Sequence, residues 1–373
     1  MKICVIGGGN IGTAIAADLA RKNQVTMLTG HPTNWKKELF SHDTDTGEGF
    51  QAILNDITDS AEKAVKDAQV VFLTVPSFLM EQEIRRCEPY LAPGTIFCVM
   101  PGTGGAEFLC RGLLEKGGIL AGFDRVTHVS RLETYGKCVN VAKKKKVRIA
   151  ALPKTEVVSV AALMSELFEM ECTPLENYLT VTFTPSNPLL HTARVFDLFG
   201  DYKEGMTWPR NILFYGEWTN FASEVMLECD AELQALCRRI EAAQNINLQG
   251  VIPLKEHYGV ETISELTDKM QSIKSLQNIT SPMSLRGENY IPDFNSRYFL
   301  EDFPYGLCIL RGFIEVAGLS APYMDKILKW YCQITGKQYY FDGKFKGADL
   351  AETAIPQNYG ITTLEELGIF YNQ

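Results

Sequence analysis

The 373-residue chain has no surplus of positive charge: its formal net charge is −9, and only 22% of its residues are charged. A nucleic-acid partner needs a basic face, so that class is disfavoured. The single basic run, Lys143 to Lys146, precedes the strand-like VRIAAL and reads as a solvated turn. No stretch reaches the ~18 apolar residues of a membrane span. The first apolar run gives way to glycine at residue 7, which reads as no secretory leader. The ten cysteines form no CxxC pair and no Cys/His spacing of a zinc site, so neither a disulfide scaffold nor a metal centre is expected. Cysteines inside apolar runs, such as Cys4 and Cys98, act as small hydrophobes and suit a reducing, cytoplasmic setting. Internal repeats and low-complexity tracts are missing as well. What is there is an ordinary globular composition, 46% apolar, over a length that favours two cores.

The opening segment KICVIGGGNIGTAIAADLARK has three parts. Ile3 to Ile6 is a short, β-branched apolar run, as expected of a buried parallel strand. Gly7, Gly9 and Gly12 then give G-x-G-x-x-G. After it Ile11, Ile15, Ala16 and Leu19 recur at helical spacing. The glycines thus lie between strand and helix, where the motif has physical meaning. The first permits the tight turn, the second lets backbone approach a pyrophosphate, and the third allows close helix–strand packing. The helix N-terminus offers free N–H groups to phosphate. Gly7, Gly9, Asn10, Ile11 and Gly12 are therefore candidate cofactor residues.

Later segments extend the pattern. QVTML (24–28), AQVVFLTVP (68–76), GTIFCVMPG (94–102) and KVRIAALP (146–153) read as strands, with SAEKAVKDA and SFLMEQEIRRCEPYL helical between them. Alternation of this kind implies a doubly wound, Rossmann-type parallel sheet that binds ligands at its carboxyl edge. Val75, Pro76 and the Pro101-Gly102-Thr103 loop fall at that edge. The second strand ends in Thr29, Gly30 and His31, with no acid for the ribose hydroxyls. His31, Lys36 or Lys37 would suit a 2′-phosphate but equally well be surface residues, so NAD and NADP both stay open.

From about Asn177 the strand signals stop. Residues 216–244 read as one long helix with a core stripe of Ala222, Val225, Met226, Cys229, Leu233, Leu236, Cys237 and Ile240, and 260–278 and 304–336 also look helical. The expected organisation is α/β: a dinucleotide-binding domain over 1–176 and a mostly α-helical substrate domain over 177–373. Exposed helical faces in the second half are candidates for a homodimer contact. Two polar clusters interrupt the helices. In TPSNPLLHTARVFDLFGDY (184–202), His191 sits among apolar residues, where a satisfied core histidine is the plain alternative. In PDFNSRYFLEDFPYG (292–306), Asp302 could simply cap the helix starting near Pro304, with Arg297 paired to it or to Glu301.

These segments resemble the octopine/nopaline (opine) dehydrogenase family nearly end to end. The likeness rests on GGGN, FLTVPSF, HTARVFDLFGDY, PDFNSRYFLEDFPYG, AGLSAPYMDKILKW and the tail GKQYYFDGKFKGADLAETAIPQNYGITTLEEL. It implies an NAD(P)H-dependent reductive condensation of an amino acid with a 2-oxo acid such as pyruvate, by way of an imine. By motif position it implies His191 as general acid/base, Asp302 as its carboxylate partner and Arg297 as the anchor of the oxo-acid carboxylate. Thr134 in LETYG, and Thr103, would lie near the substrates. The chain departs from the family's habit at His191-Thr192, where members often have His-Pro. It also departs at YGKCVN after Thr134, and at Thr103, where a member has glutamine. Histidine suits the chemistry, because a group titrating near neutrality can take a proton from the amine and return it to the departing hydroxyl. Two other readings remain: a ketopantoate reductase-like hydroxy-acid dehydrogenase, which would rely on a lysine where this chain offers His191, and a non-catalytic nucleotide sensor.

Overall fold

A computed structural model describes residues 1–184 and 187–372; Pro185 and Ser186, within the TPSNPLLH stretch above, and Gln373 lie outside the described residues. The chain folds as two compact units, Met1–Thr182 with Phe370–Gln373 and Phe183–Ile369, against the expected division after residue 176.

The first unit is built on an eight-stranded sheet. Its strands are β1 (Lys2–Ile6), β2 (Gln24–Leu28), β5 (Asp56–Thr58), β6 (Val70–Leu73), β7 (Ile96–Val99), β8 (Ile119–Phe123), β11 (Lys146–Leu152) and β12 (Glu171–Pro174), in the order β12-β11-β8-β7-β6-β1-β2-β5. From β8 to β5 neighbours run parallel; β11 is antiparallel to β8, and β12 parallel to β11. β6 and the core of β1 are continuously buried, as strands covered on both faces must be. Helix α1 (Asn10–Leu19) packs on β1 and β2. Its other side meets a second sheet of four strands, β3 (Glu38–Asp43), β4 (Gly49–Ile53), β9 (His128–Thr134) and β10 (Cys138–Lys143), ordered β4-β3-β10-β9. A helix covered on two sides needs small residues. Gly12, Thr13, Ala14, Ile15, Ala16 and Ala17 are all buried. The Asp18 carboxylate accepts from Lys143 Nζ at 2.8 Å and lies 3.4 Å from the buried His128 Nε2, tying α1 to β9 and β10. The basic run therefore does not form one solvated turn: Lys143 ends a strand on an ion pair, Lys146 begins the next, and only residues 144–145 turn.

The second unit is mainly helical. The long helix, Asn220–Gln244, is capped by Thr219 and ends at Asn245, which takes the left-handed conformation. The core stripe read from the sequence is buried as expected. The other two helical stretches are shorter than expected. Residues 260–278 yield Ile263–Ser272, started by a Thr262/Glu265 capping box. Residues 304–336 divide into Cys308–Val316 and Pro322–Thr335, because Gly318 turns left-handed and Pro322 opens the next helix. Strands do not stop at Asn177 either. Met283–Arg286 pairs with Asn289–Pro292, and Tyr340–Phe341 with Lys344–Phe345 around Asp342-Gly343, a hairpin dipeptide with positive φ at both positions.

The ten cysteines are free and nine are buried. Among the described residues no His/Cys/Asp/Glu cluster could hold a metal ion, and no helix is long and apolar enough to cross a membrane.

Glu232 in the long helix accepts from the backbone N–H groups of Tyr323 (2.7 Å) and Met324 (3.1 Å), holding the start of Pro322–Thr335. Burial pushes its carboxyl up to about 7. A folded-state value above the unfolded one favours the protonated form, so its stabilising effect is full below the ordinary glutamate range and is lost as pH rises through about 7. Melting temperature should therefore fall by a few degrees between pH 5 and pH 8 in the native chain. Glu232→Gln should flatten that slope; a slope that survives the substitution refutes the assignment.

Candidate active site

The first candidate site lies at the carboxyl ends of four adjacent strands. β1 leads into Gly7 to Gly9, β2 into the buried Thr29 and exposed His31, β6 into half-buried Val75 and Pro76, and β7 into the loop of Thr103. Three positions explain the glycines. Gly7 has φ +104°. A Cβ on Gly12 would sit 1.8 Å from Gly7 O, so only glycine lets α1 come this close to the turn. A Cβ on Gly9 meets nothing within 4 Å, so the side of the turn at the N-terminus of α1 is open. That terminus has no side-chain cap and no acid in its first turn, so its N–H groups suit a phosphate. Trp35 closes another side: its ring would meet a Cβ on Gly8 at 2.6 Å, and its Nε1 is buried without a partner. These features fit a dinucleotide.

Several supports were not evident in the sequence. Thr74 Oγ1 donates to Ile6 O (2.9 Å) and Gly7 O (3.1 Å), fixing the turn. Asn10 Oδ1 accepts from Leu132 N–H at 2.8 Å, so this candidate cofactor residue ties the turn to β9. Ile11 packs against the core. Thr134, exposed, ends β9, and the next residue, Tyr135, meets Trp35 edge-on at 5.7 Å and Thr29 Oγ1 at 3.4 Å. Replacing Gly12 by Ala should weaken NADH or NADPH binding at least tenfold in a fluorescence titration. Unchanged affinity in a folded variant would show that the close approach serves packing alone.

The second candidate site lies wholly in the second unit. His191 occupies the helix Asn187–Phe199, half-buried rather than sealed in the core. Asp302 Oδ2 lies 2.8 Å from its Nδ1. Asp302 stands at the start of the turn Phe303–Leu307 but makes no capping bond there; its carboxylate goes to the histidine instead. That turn is a π-helix, a wide geometry common at functional sites. Gly306 lets it approach closely, since a Cβ there would meet Pro188 at 2.9 Å. Burial raises the Asp302 carboxyl above its ordinary range, and the imidazole beside it pulls it back. Arg297 begins the short helix Arg297–Leu300 with an exposed side chain, and its Nε and Nη2 donate to Glu301 Oε2 at 2.7 and 2.5 Å. Its neighbour Tyr298 packs against the imidazole at 4.8 Å. Histidine and aspartate are therefore in contact, and the arginine sits on the adjacent turn with a carboxylate already in its grasp.

The helical domain carries a likeness to known proteins. Residues 174–335 match the model described as NAD/NADP octopine/nopaline dehydrogenase, alpha-helical domain. The chain is 27% identical to the octopine dehydrogenase of Pecten maximus, over 98% of each chain, and 25% identical to the tauropine dehydrogenase of Arabella iricolor, over 98% of this chain and 99% of that one. A solved octopine dehydrogenase in complex with NADH and agmatine superposes with a TM-score of 0.88 at 26% identity, over 98% of this chain and 97% of that one. Over the helical domain the chain is similar to the octopine/nopaline dehydrogenase family, and over nearly its whole length to these relatives. The relatives bear the names octopine, tauropine and opine dehydrogenase, all oxidoreductases. Residues 3–154 also match the model of ketopantoate reductase PanE/ApbA.

Three more residues surround His191. Tyr215 Oη lies 3.3 Å from His191 Nε2. Phe214 meets the imidazole edge-on at 5.7 Å. Arg194, one turn beyond His191 and 1% exposed, donates from Nε to Phe214 O (2.9 Å) and from Nη2 to Leu213 O (3.2 Å) and Glu217 O (2.7 Å), while Nη1 pairs with Asp197. A guanidinium has five donors in a rigid fork, so one side chain can hold a whole loop. The sequence signal was an arginine inside an otherwise apolar helix face.

Proposed function

We propose that this chain reductively condenses an amino acid with a 2-oxo acid such as pyruvate, with His191 as the acid/base group. The observation carrying the proposal is the 2.8 Å contact between His191 Nδ1 and Asp302. With Nδ1–H donated to the carboxylate, Nε2 is left as the basic nitrogen, and the carboxylate stabilises the imidazolium that forms. The amine loses a proton toward Nε2 and attacks the oxo carbon. The resulting carbinolamine hydroxyl takes a proton back and leaves as water, giving the imine. The bound nicotinamide supplies the hydride that reduces the C=N bond. Gly7, Gly9, Asn10, Ile11, Gly12, Thr29, His31, Val75 and Pro76 would hold the nucleotide, so the first unit is the platform and the second the source of acid–base chemistry. Arg297 would exchange Glu301 for the planar carboxylate of the oxo acid, a bidentate match. Thr103 and Thr134 would border the substrates. The relatives named for octopine and tauropine, and the solved octopine dehydrogenase complexes with L-arginine and with pyruvate, support this substrate class.

For the cofactor, the end of β2 carries Thr29, Gly30 and His31 and no carboxylate to repel a 2′-phosphate, so NADPH is accepted alongside NADH. The two should give kcat/KM values within about tenfold of each other; a hundredfold preference for NADH refutes this. Nucleotide oxidation should require an oxo acid and an amino acid together. Oxidation with ketopantoate alone, or with pyruvate alone at the same rate as with an amine, would favour the hydroxy-acid reading instead; nucleotide binding with no turnover of any pair would favour the sensor.

His191→Ala should cut turnover by about a thousandfold while nucleotide affinity stays within a few fold, since positioned acid–base groups contribute roughly 10² to 10⁴. Arg297→Ala should raise the KM for the oxo acid about 10- to 100-fold, as loss of a charge-assisted pair does. An active alanine variant at 191, or an unmoved KM at 297, defeats the corresponding role.

A further inference from the structure

His191 is enclosed on every side that the second unit defines. Asp302 holds Nδ1, Phe214 and Tyr298 stand edge-on to the ring, and the Tyr215 hydroxyl covers Nε2. Nε2 is the nitrogen that acid–base chemistry must use once Nδ1–H is committed to Asp302. Tyr215 is not free to swing aside. Its ring stacks on Trp218 (6.1 Å, 16°) and meets Phe214 edge-on at 5.0 Å. The backbone on both sides of it is fastened by Arg194, through the carbonyls of Leu213, Phe214 and Glu217. Arg210 holds the Glu217 carboxylate with two bonds, and Glu217 Oε2 in turn accepts from Leu213 N–H at 2.8 Å. The hydroxyl is thus a fixed element of the site.

Resting on the function proposed above, we infer that Tyr215 is a third catalytic residue, whose hydroxyl carries protons between His191 Nε2 and the reacting substrate atoms. In the first transfer an ammonium N–H proton passes to Tyr215 Oη as the Tyr215 proton passes to Nε2. The products are a neutral amine and an imidazolium, and the tyrosine is unchanged. In the second, Nε2–H passes to Oη as the Tyr215 proton passes to the carbinolamine hydroxyl. The C–O bond breaks, water leaves with the bonding pair, and the imidazole is neutral again, with a protonated imine left behind. No free phenolate forms at any point. That suits a tyrosine whose hydroxyl is pushed well above its ordinary range by burial, with Tyr298, Tyr258 and Asp302 adding to the effect.

The test is Tyr215→Phe, which keeps the ring and its packing and removes only the hydroxyl. Relay predicts a fall in kcat of about 100-fold, with KM values for oxo acid and nucleotide within about threefold of the native chain. It also predicts a change in proton inventory in mixed H₂O and D₂O, from a curved dependence with two protons in flight to a shallower one. A hydroxyl that only fills space predicts unchanged kcat and an unchanged inventory, and that result overturns the inference. A second measurement does not depend on turnover: ¹⁵N spectra of the histidine-labelled chain should show His191 Nε2 moving toward the position of an unbonded nitrogen in Tyr215→Phe. If no amine and oxo-acid pair is turned over, the functional reading fails by itself, while a His191 Nε2 signal that does not move rejects the tyrosine contact independently.

Discussion

The second site depends on one partly buried contact, the Asp302 carboxylate against His191 Nδ1. Removing a carboxylate from water is costly unless a donor meets it, and here the donor is the imidazole. The local fold around the pair follows from that need. The wide turn Phe303–Leu307 follows Asp302 directly, and Gly306 brings that turn against Pro188 at the start of the histidine's helix. Without the glycine the two segments could not approach so closely. The plain alternative in the sequence, a capping aspartate, is not what the structure shows: the side chain makes no capping bond and lies against His191 instead.

The nucleotide platform was legible because its signals are local. Strand, glycine turn and helix follow one another within twenty residues; Gly7 is explained by its φ, Gly12 by a close contact and Gly9 by the open space beside it. The long helix was legible for the same reason, a continuous apolar stripe. The second sheet was not. β3 and β4 are half exposed and carry polar residues, so alternation there is faint, and what buries their inner face, helix α1, lies far away in sequence. The breaks at Gly318 and Pro322 and the Asp342-Gly343 hairpin had readable punctuation, overridden by the surrounding apolar content. Within the second site, His191, Arg297 and Asp302 stood out as polar residues among apolar ones, but their roles were readable only through the family resemblance. Tyr215 and Arg194 carried no motif, since their partners are brought near by folding rather than by spacing.

The two candidate sites rest on different physics. At the nucleotide turn the protein contributes mostly absence: missing side chains at Gly9 and Gly12, a missing cap and a missing acid. At His191 it contributes enclosure, with each face of one ring assigned to a particular neighbour. The first arrangement leaves open backbone N–H groups beside the turn. The second fixes the orientation of the imidazole.

Arg194 has a consequence for how rigid that second arrangement is under changing conditions. A guanidinium stays cationic across the whole range in which proteins remain folded. Its carbonyl acceptors do not titrate at all, and Glu217 beside them is held down to about 2, chiefly by its bond to Arg210. The segment carrying Phe214 and Tyr215 therefore keeps the same seat in mildly acidic and mildly alkaline solution. Any acid or alkaline limb in the enzyme's rate curve then reports the reacting groups themselves, not a loosening of the loop that frames them.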